Sequence, residues 1–224
     1  MVCVRAANGW QIGISCKHNH HAVKHSRLSA TIDFGQEWLG IPCSKEYFDT
    51  VVPIFNELRA MRTRAVNEHR PLPLWSDIPD KSDRYYMPIL NAFLQEMHRL
   101  AESDPTVPGK LIGYMLGKYD FYKVITDDNK RTTRIEAINL AGSLNKPANG
   151  HRSIVDVAKL RLPTRFYHMG IVPHSDNKVE IVCDEGWTLS MRIHNASSKV
   201  EPSLKFDVQL ISLPANVHAQ VEPW

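Results

Sequence analysis

The apolar positions change their period along the chain. Val2, Cys3 and Val4 form a short run. Ala6-Ala7-Asn8-Gly9 follows as a tight turn built on Asn-Gly, and residues 10–17 form a second strand, predicting a hairpin. Alternation puts Trp10, Ile12, Ile14 and Cys16 on one face of that strand and Gln11, Gly13, Ser15 and Lys17 on the other. Lys17 is therefore expected at a strand end, pointing away from the core. The polar run His18 to His21 leads into a helix predicted over 22–32. A second helix is predicted after Ser44, a suitable N-cap, with Phe48, Val51, Val52, Phe55, Leu58 and Met61 at helical spacing and Pro53 as a possible kink. Pro71, Pro73 and Pro79 mark a loop. A third helix covers about 83–100 and ends at Asp104-Pro105 and Pro108-Gly109. From Lys110 the pattern reads as strands: 119–126 and 131–140 around Asp127-Asp128-Asn129, a Gly/Asn/Pro loop over 142–152, then 178–183, 187–194 and 204–210. Helices in the first half and strands in the second predict a mixed α/β fold in one domain over 1–224, with a C-terminal β-rich part.

Composition narrows the class. Among 224 residues, 43% are apolar and 23% charged, as in ordinary globular chains. No run approaches the roughly 18 apolar residues of a membrane span, and His18, His20 and His21 interrupt any secretory leader pattern. Cys3, Cys16, Cys43 and Cys183 lie far apart with no C-x-x-C pair, which argues against a disulfide framework and fits a reducing cytoplasm. The net charge is only +3, but residues 110–165 carry 11 Lys+Arg against 5 Asp+Glu. That basic middle points to a polyanion partner or to a solvated basic face.

Three constellations carry candidate chemistry. Lys17 beside Ser15 at a strand end suits phosphodiester hydrolysis, where an ammonium orients water and offsets charge developing on the phosphate. Such chemistry also calls for carboxylates holding a divalent metal. His21 and His25 stand four apart, but Ala22 occupies the place of a zincin glutamate, so zinc is disfavoured. Asn19, Lys24, His25, Ser26 and Arg27 are expected to meet phosphate at a helix start, and Lys130, Arg131 and Arg134 add a second basic cluster. Late in the chain, Thr188, Ser190, Arg192 and His194 share one strand face, and Lys205, Asp207 and Gln209 another. Asn195, Ser197, Ser198 and Lys199 join the two strands. Such a polar two-stranded ribbon fits the DNA major groove; equally, it could be one solvated face of a sheet.

Two strings then bring a family into view. Gly13 to Ser29, G-I-S-C-K-H-N-H-H-A-V-K-H-S-R-L-S, and Ser190 to Leu210, S-M-R-I-H-N-A-S-S-K-V-E-P-S-L-K-F-D-V-Q-L, resemble signatures of the HaeIII-type restriction endonucleases. The resemblance covers essentially the whole chain. It implies a restriction-endonuclease-like PD-(D/E)xK core, a mixed sheet flanked by helices with catalytic groups on a central hairpin. It further implies a type II endonuclease of a restriction-modification system cutting double-stranded DNA at 5′-GGCC-3′ with Mg2+. Lys17 matches the motif lysine. Ser15 stands where most such nucleases carry an acid, so the second carboxylate is expected downstream, from Asp33 with Glu37 as runner-up. The Cys16 carbonyl is expected as a metal ligand. No Asp or Glu occurs in residues 1–32, so the first motif acid is missing and the chain reads as a family member lacking its N-terminal portion. An inactive sequence-specific DNA-binding remnant is the alternative, and a phosphate-binding or structural protein unrelated to DNA is a further one. The DNA-binding set expected is Asn19, Lys24, Arg27, Ser190, Arg192, His194, Asn195, Ser198, Lys199, Lys205 and Asp207. A palindromic site implies a homodimer.

Overall fold

The fold is that of a computed structural model, which describes residues 2–5, 11–19, 22–117, 119–146 and 156–224, without the side chains of 2, 4, 5 and 11. The predicted 6–9 turn, Trp10, His20, His21 and residues 147–152 of the predicted loop lie outside the described residues. Ten strands divide between two five-stranded sheets. The first runs β1 (Val2–Arg5), β2 (Gln11–His18), β4 (Phe121–Asp127), β5 (Thr132–Ile138), β10 (Ala219–Pro223). The second runs β3 (Ala22–Ser29), β9 (Ser203–Ser212), β8 (Thr188–His194), β7 (Lys178–Cys183), β6 (Phe166–Ile171). Three α-helices, α1 (Lys45–Asn67), α2 (Met87–Ser103) and α3 (Val107–Leu116), lie between β3 and β4 in sequence. Together with β3 they form the long crossover that lets β4 pair parallel to β2, while every other pairing is antiparallel.

The second sheet follows the binary pattern closely. Leu28, Leu204, Phe206, Val208, Leu189, Met191, Ile193, Val179 and Ile181 are buried on its inner face. Aromatic contacts seal that face against the helices: Phe206 lies 5.1 Å from Phe93 of α2 and 6.4 Å from Trp38. Ser44 caps α1 as its sequence predicts, its Oγ accepting from the Tyr47 N–H at 3.2 Å. Glu96 of α2 accepts from the Ser44 N–H and Oγ–H at 2.7 Å each, tying the two helices together.

Four expectations are corrected. The predicted 22–32 helix is strand β3, paired with β9 from Ala22↔Gln209 to Ser29↔Ser203. Its inward residues include the small Ser26, and a bulge shifts its register between Ala22 and Lys24, so period two is masked in the sequence. With no helix there, helix-start N–H groups are not what would bring Asn19, Lys24 or Arg27 to phosphate. Pro108 and Gly109 do not end a helix; they lie in the first turn of α3, where proline lacks no needed N–H. Strands β6 and β10 carry no clear alternation and escape sequence reading. The β8–β9 ribbon is not free, because β7 flanks one side and β3 the other. Five strands at about 4.8 Å spacing span roughly 19 Å, wider than a major groove of about 12 Å.

Candidate active site and nucleic-acid interface

The face of β2 that bears Lys17 is the inward one, contrary to its expected outward orientation. Register fixes what stands beside it. Ser15, Lys123 and Glu136 form one cross-strand row; Lys17, Ile125 and Arg134 form the next. Residues opposed in a ladder share a face, so all six project to the same side. Phe121, Lys123, Ile125, Glu136 and Ile138 on that side are buried, whereas Cys16 on the other side of β2 is exposed. Buried apolar neighbours on β4 and β5 draw this face inward, and its polar residues ride with them.

Charge on this face is dense. Lys123 keeps only 2% of its side chain exposed and Glu136 8%, with Nζ and Oε2 3.9 Å apart. Arg134 donates from Nε to Glu136 Oε1 at 2.7 Å. Burial pushes the Lys123 ammonium below its ordinary value; Glu136 opposes that shift, and Lys17 and Arg134 reinforce it by repulsion. Lys17 therefore stands in a field of two further cations and one carboxylate.

The end of β2 is tied down. Asn19, at φ 53°, donates its N–H to Thr126 O at 2.8 Å and its amide to Asp128 Oδ2 at 3.0 Å, while its Oδ1 accepts from the Asp128 N–H at 2.9 Å. His18 Nε2 lies 3.1 Å from Asp128 Oδ2, and the Thr126 hydroxyl donates to Lys17 O at 3.2 Å. Asn19 thus acts as a clasp that fixes the strand end carrying Lys17.

The expected acids lie elsewhere. Asp33 follows β3, and its Oδ1 accepts from the N–H groups of Gln36 at 2.9 Å and Cys43 at 3.0 Å. Burial would raise its carboxyl, but these bonds outweigh that and hold it below its ordinary value. Glu37 is exposed on the π-type turn Gly35–Leu39. Among the described residues, no group of three or more His, Cys, Asp or Glu is placed to hold a metal ion. On the Lys17 face register supplies Glu136, already matched by Arg134 and Lys123, and alternation along β4 adds Asp127 at the strand end, paired with Lys130. This donor set does not fit a divalent metal.

The outer face of the second sheet gathers the other candidates. His25, Asp207, Arg192 and Lys178 form one cross-strand row, Arg27, Lys205 and His194 a second, and Gln209, Ser190 and Glu180 a third. Sequence reading anticipates the β8 and β9 members. It misses that β3 adds His25 and Arg27 to the same surface and β7 adds Lys178 and Glu180. The alternation of 178–183 was the signal available for β7; for β3 it was hidden by the helical reading. Asp207 is the hub: Oδ1 lies 2.6 Å from His25 Nδ1 and Oδ2 accepts from Arg192 at 3.2 Å. Arg27 donates to Ser203 Oγ at 3.0 Å. Lys24 is turned away, donating to Tyr114 O at 2.7 Å over the Tyr114 ring, and burial lowers its pKa. His194 is also lowered by burial, with Nδ1 2.9 Å from Asn195 O. Asn195 organises the β8–β9 connection, donating to Ser197 O and Lys199 O and accepting from the Glu201 N–H. Ser198 O in that connection accepts from the Trp75 N–H at 2.8 Å. Lys199 makes an isolated bridge with Leu74.

The two surfaces are adjacent in the chain, since β2 ends at His18 and β3 begins at Ala22. Five residue steps separate Lys17 from Ala22, so their Cα atoms are at most about 17 Å apart.

Comparison with known proteins places the chain in one family. Residues 1–214 match the family model described as HaeIII restriction endonuclease. The type II restriction enzyme HaeIII of Haemophilus aegyptius is 42% identical over 216 residues, which is 96% of this chain and 66% of that enzyme's length. No solved structure matches. A family model matched over residues 1–214 and a relative 42% identical over 96% of the chain lead to one assignment: the chain belongs to the HaeIII restriction endonuclease family.

Proposed function

We propose that the chain acts in site-specific hydrolysis of phosphodiester bonds in double-stranded DNA at 5′-GGCC-3′, as a type II restriction endonuclease with a PD-(D/E)xK-like core formed by β1, β2 and β4. The observation that carries this reading is Lys17 on a buried polar face, within about 17 Å of a broad basic sheet face. Lys17 meets the scissile phosphate, where a cation in a partly dry site offsets the charge of the pentavalent transition state. The outer face of the second sheet lies across the duplex rather than inside the groove as a ribbon. Arg27, Lys178 and Lys205 meet phosphates, and Arg192, oriented by Asp207, reaches guanine N7 and O6. Ser190, His194, Ser198 and Lys199 border that contact. A two-fold palindrome is read by two copies. Mg2+ is the activator that the resemblance to the family implies, and its carboxylate donors are not assembled among the described residues.

The donor set favours a second reading, in which this chain binds GGCC and does not cut it. One experiment separates the two. The chain is incubated with duplexes carrying GGCC or a scrambled site, with Mg2+ and with EDTA. Cleavage confined to GGCC and lost in Lys17→Ala, with binding retained, supports hydrolysis. Selective binding without product supports the second reading. Absence of selective binding sinks both.

A further inference from the structure

The Lys17 face holds more charge than a single motif lysine requires. Lys17 and Arg134 flank the buried Ile125 in one cross-strand row, and both repel the Lys123 ammonium from the same side of the sheet. Glu136 lies in the neighbouring row between Lys123 and Arg134, 3.9 Å from one cation and 2.7 Å from the other.

We propose that Arg134 is a second cationic contact to the phosphate that Lys17 engages, and that Glu136 and Lys123 are the buried positioning pair that holds Arg134 in place. This deepens the hydrolytic reading above and rests on it.

Three observations support the assignment. The first is span. Lys17 and Arg134 are two strands apart, about 10 Å between Cα atoms, and two long side chains close that gap around one tetrahedral anion. The second is donor availability. Glu136 occupies Arg134 Nε, which fixes the guanidinium plane and leaves its terminal N–H groups to fork onto phosphate oxygens. The Arg134 side chain is 44% exposed, so a backbone phosphate can approach it, whereas Lys123 is covered. The third is charge balance. Lys17, Lys123 and Arg134 outnumber Glu136 and Asp127, the latter already paired with Lys130, so the face attracts an anion. Lys123 gives Glu136 its counter-charge from below, so Glu136 orients Arg134 without cancelling it. A lysine buried this deeply is costly unless paired, and no core-packing need explains a Lys–Glu pair under a strand that could have carried leucine.

The test uses the full chain in buffer without divalent metal and a duplex carrying one GGCC. Each phosphate in turn is replaced by a neutral methylphosphonate, and binding is read by fluorescence anisotropy. In the unaltered chain, one phosphate per strand should show a loss of about tenfold or more. Lys17→Ala and Arg134→Gln should each reduce that penalty severalfold at the same phosphate and leave the other positions unchanged. Arg134→Lys should recover part of it, and Glu136→Gln should reduce it without touching the phosphate itself. Arg27→Gln should leave that position as sensitive as before. If Arg134→Gln weakens binding equally at every phosphate, or acts at a different phosphate from Lys17→Ala, the proposal is overturned while the hydrolytic reading stands. If no phosphate is sensitive to Lys17→Ala, the hydrolytic reading falls with it. Should Glu136→Gln fail to fold, the Lys17, Arg134 and Arg27 arms decide the question alone.

Discussion

The two sheets of this protein treat charge in opposite ways. The sheet of β3, β9, β8, β7 and β6 separates polar from apolar cleanly. Leucine, valine, isoleucine and phenylalanine face the helices, and His25, Arg27, Lys178, Arg192, Lys205 and Asp207 face outward. The sheet of β1, β2, β4, β5 and β10 instead carries Ser15, Lys17, Lys123 and Glu136 on the same side as buried Phe121, Ile125 and Ile138. A fold tolerates such a breach of the hydrophobic pattern at a cost in stability, and such breaches concentrate where chemistry is done. The clean sheet presents a surface; the breached sheet is where the site is proposed.

That contrast can be broken most severely at Phe206. It is fully buried, opposite Ser26 and Ile193 and against Phe93. Phe206→Ala should cost about 3–5 kcal/mol in denaturant unfolding. A loss under 1 kcal/mol would mean that the helices do not rest on this sheet as described. In the other sheet the equivalent stress is electrostatic. Lys123→Met leaves Glu136 buried with one cation fewer, and Glu136→Leu leaves Lys123 buried without its acid. Each should cost roughly 3 kcal/mol, whereas the double substitution should recover most of that loss, because removing both charges also removes their desolvation. Simple additivity in the double variant would show that the two groups are not coupled. On the clean sheet, Asp207→Asn is partly exposed and should cost under about 1 kcal/mol.

The same contrast explains how much of this molecule is legible in its sequence. Strand β7 matches its predicted bounds, and β8, β9 and α1 lie within a few residues of theirs, because their side chains obey one period throughout. Strand β3 reads as a helix because Ser26 and a bulge interrupt its alternation, and α3 is missed because Pro108-Gly109 reads as a stop when it is a start. The face of Lys17 is misjudged for a deeper reason. Alternation along β2 says which residues share a side but not which side is buried; that is decided by Phe121, Ile125 and Ile138, more than 100 positions downstream. Lys123 and Glu136 reach Ser15 only through the register of β4 and β5, a long-range pairing that no local pattern encodes. The family signature proposes Lys17, and the sheet shows which residues stand beside it.

A carboxylate device common to both sheets sharpens the comparison as a control. Asp120, just before β4, accepts from the N–H groups of Leu140, Ala141 and Ser143 and from the Ser143 hydroxyl at 2.7–2.8 Å. Asp184, just after β7, accepts from the N–H groups of Thr164 and Arg165 and from the Thr164 hydroxyl. Burial would raise both carboxyls, but these bonds outweigh it and hold both below their ordinary values. A lowered folded value means stability present above the unfolded pKa of about 3.9 and lost as pH falls through the folded one. Asp120→Asn and Asp184→Asn should each cost about 2 kcal/mol at neutral pH, with the deficit shrinking below about pH 4. Unfolding curves across about pH 2–7, a span that brackets the ordinary carboxylate values, check this. A deficit in either variant that is independent of pH would deny that the carboxylate charge is what holds its loop.

The gentlest test falls on the clean sheet, where substitutions should change recognition and leave folding alone. Arg192 and Arg27 are both exposed arginines on the outer face, yet the structure distinguishes them. Arg192 stands mid-sheet with its guanidinium held by Asp207, which His25 also approaches, an arrangement that restrains an arginine before it meets a partner. Arg27 lies on the edge strand β3 beside Lys205, held by one serine hydroxyl. A restrained central arginine suits a bidentate contact to guanine, and a looser cation at the edge suits the backbone. Arg192→Ala should therefore cost about 1–3 kcal/mol of discrimination between GGCC and scrambled duplexes. Arg27→Ala should weaken both duplexes alike and reduce the slope of log affinity against log salt by about one. Both variants should unfold within about 0.5 kcal/mol of the unaltered chain. Binding isotherms over a salt series read all three quantities at once. If Arg192→Ala also weakens both duplexes equally and lowers the salt slope, the central row is a phosphate contact, and base reading must come from elsewhere on the sheet or its β8–β9 connection.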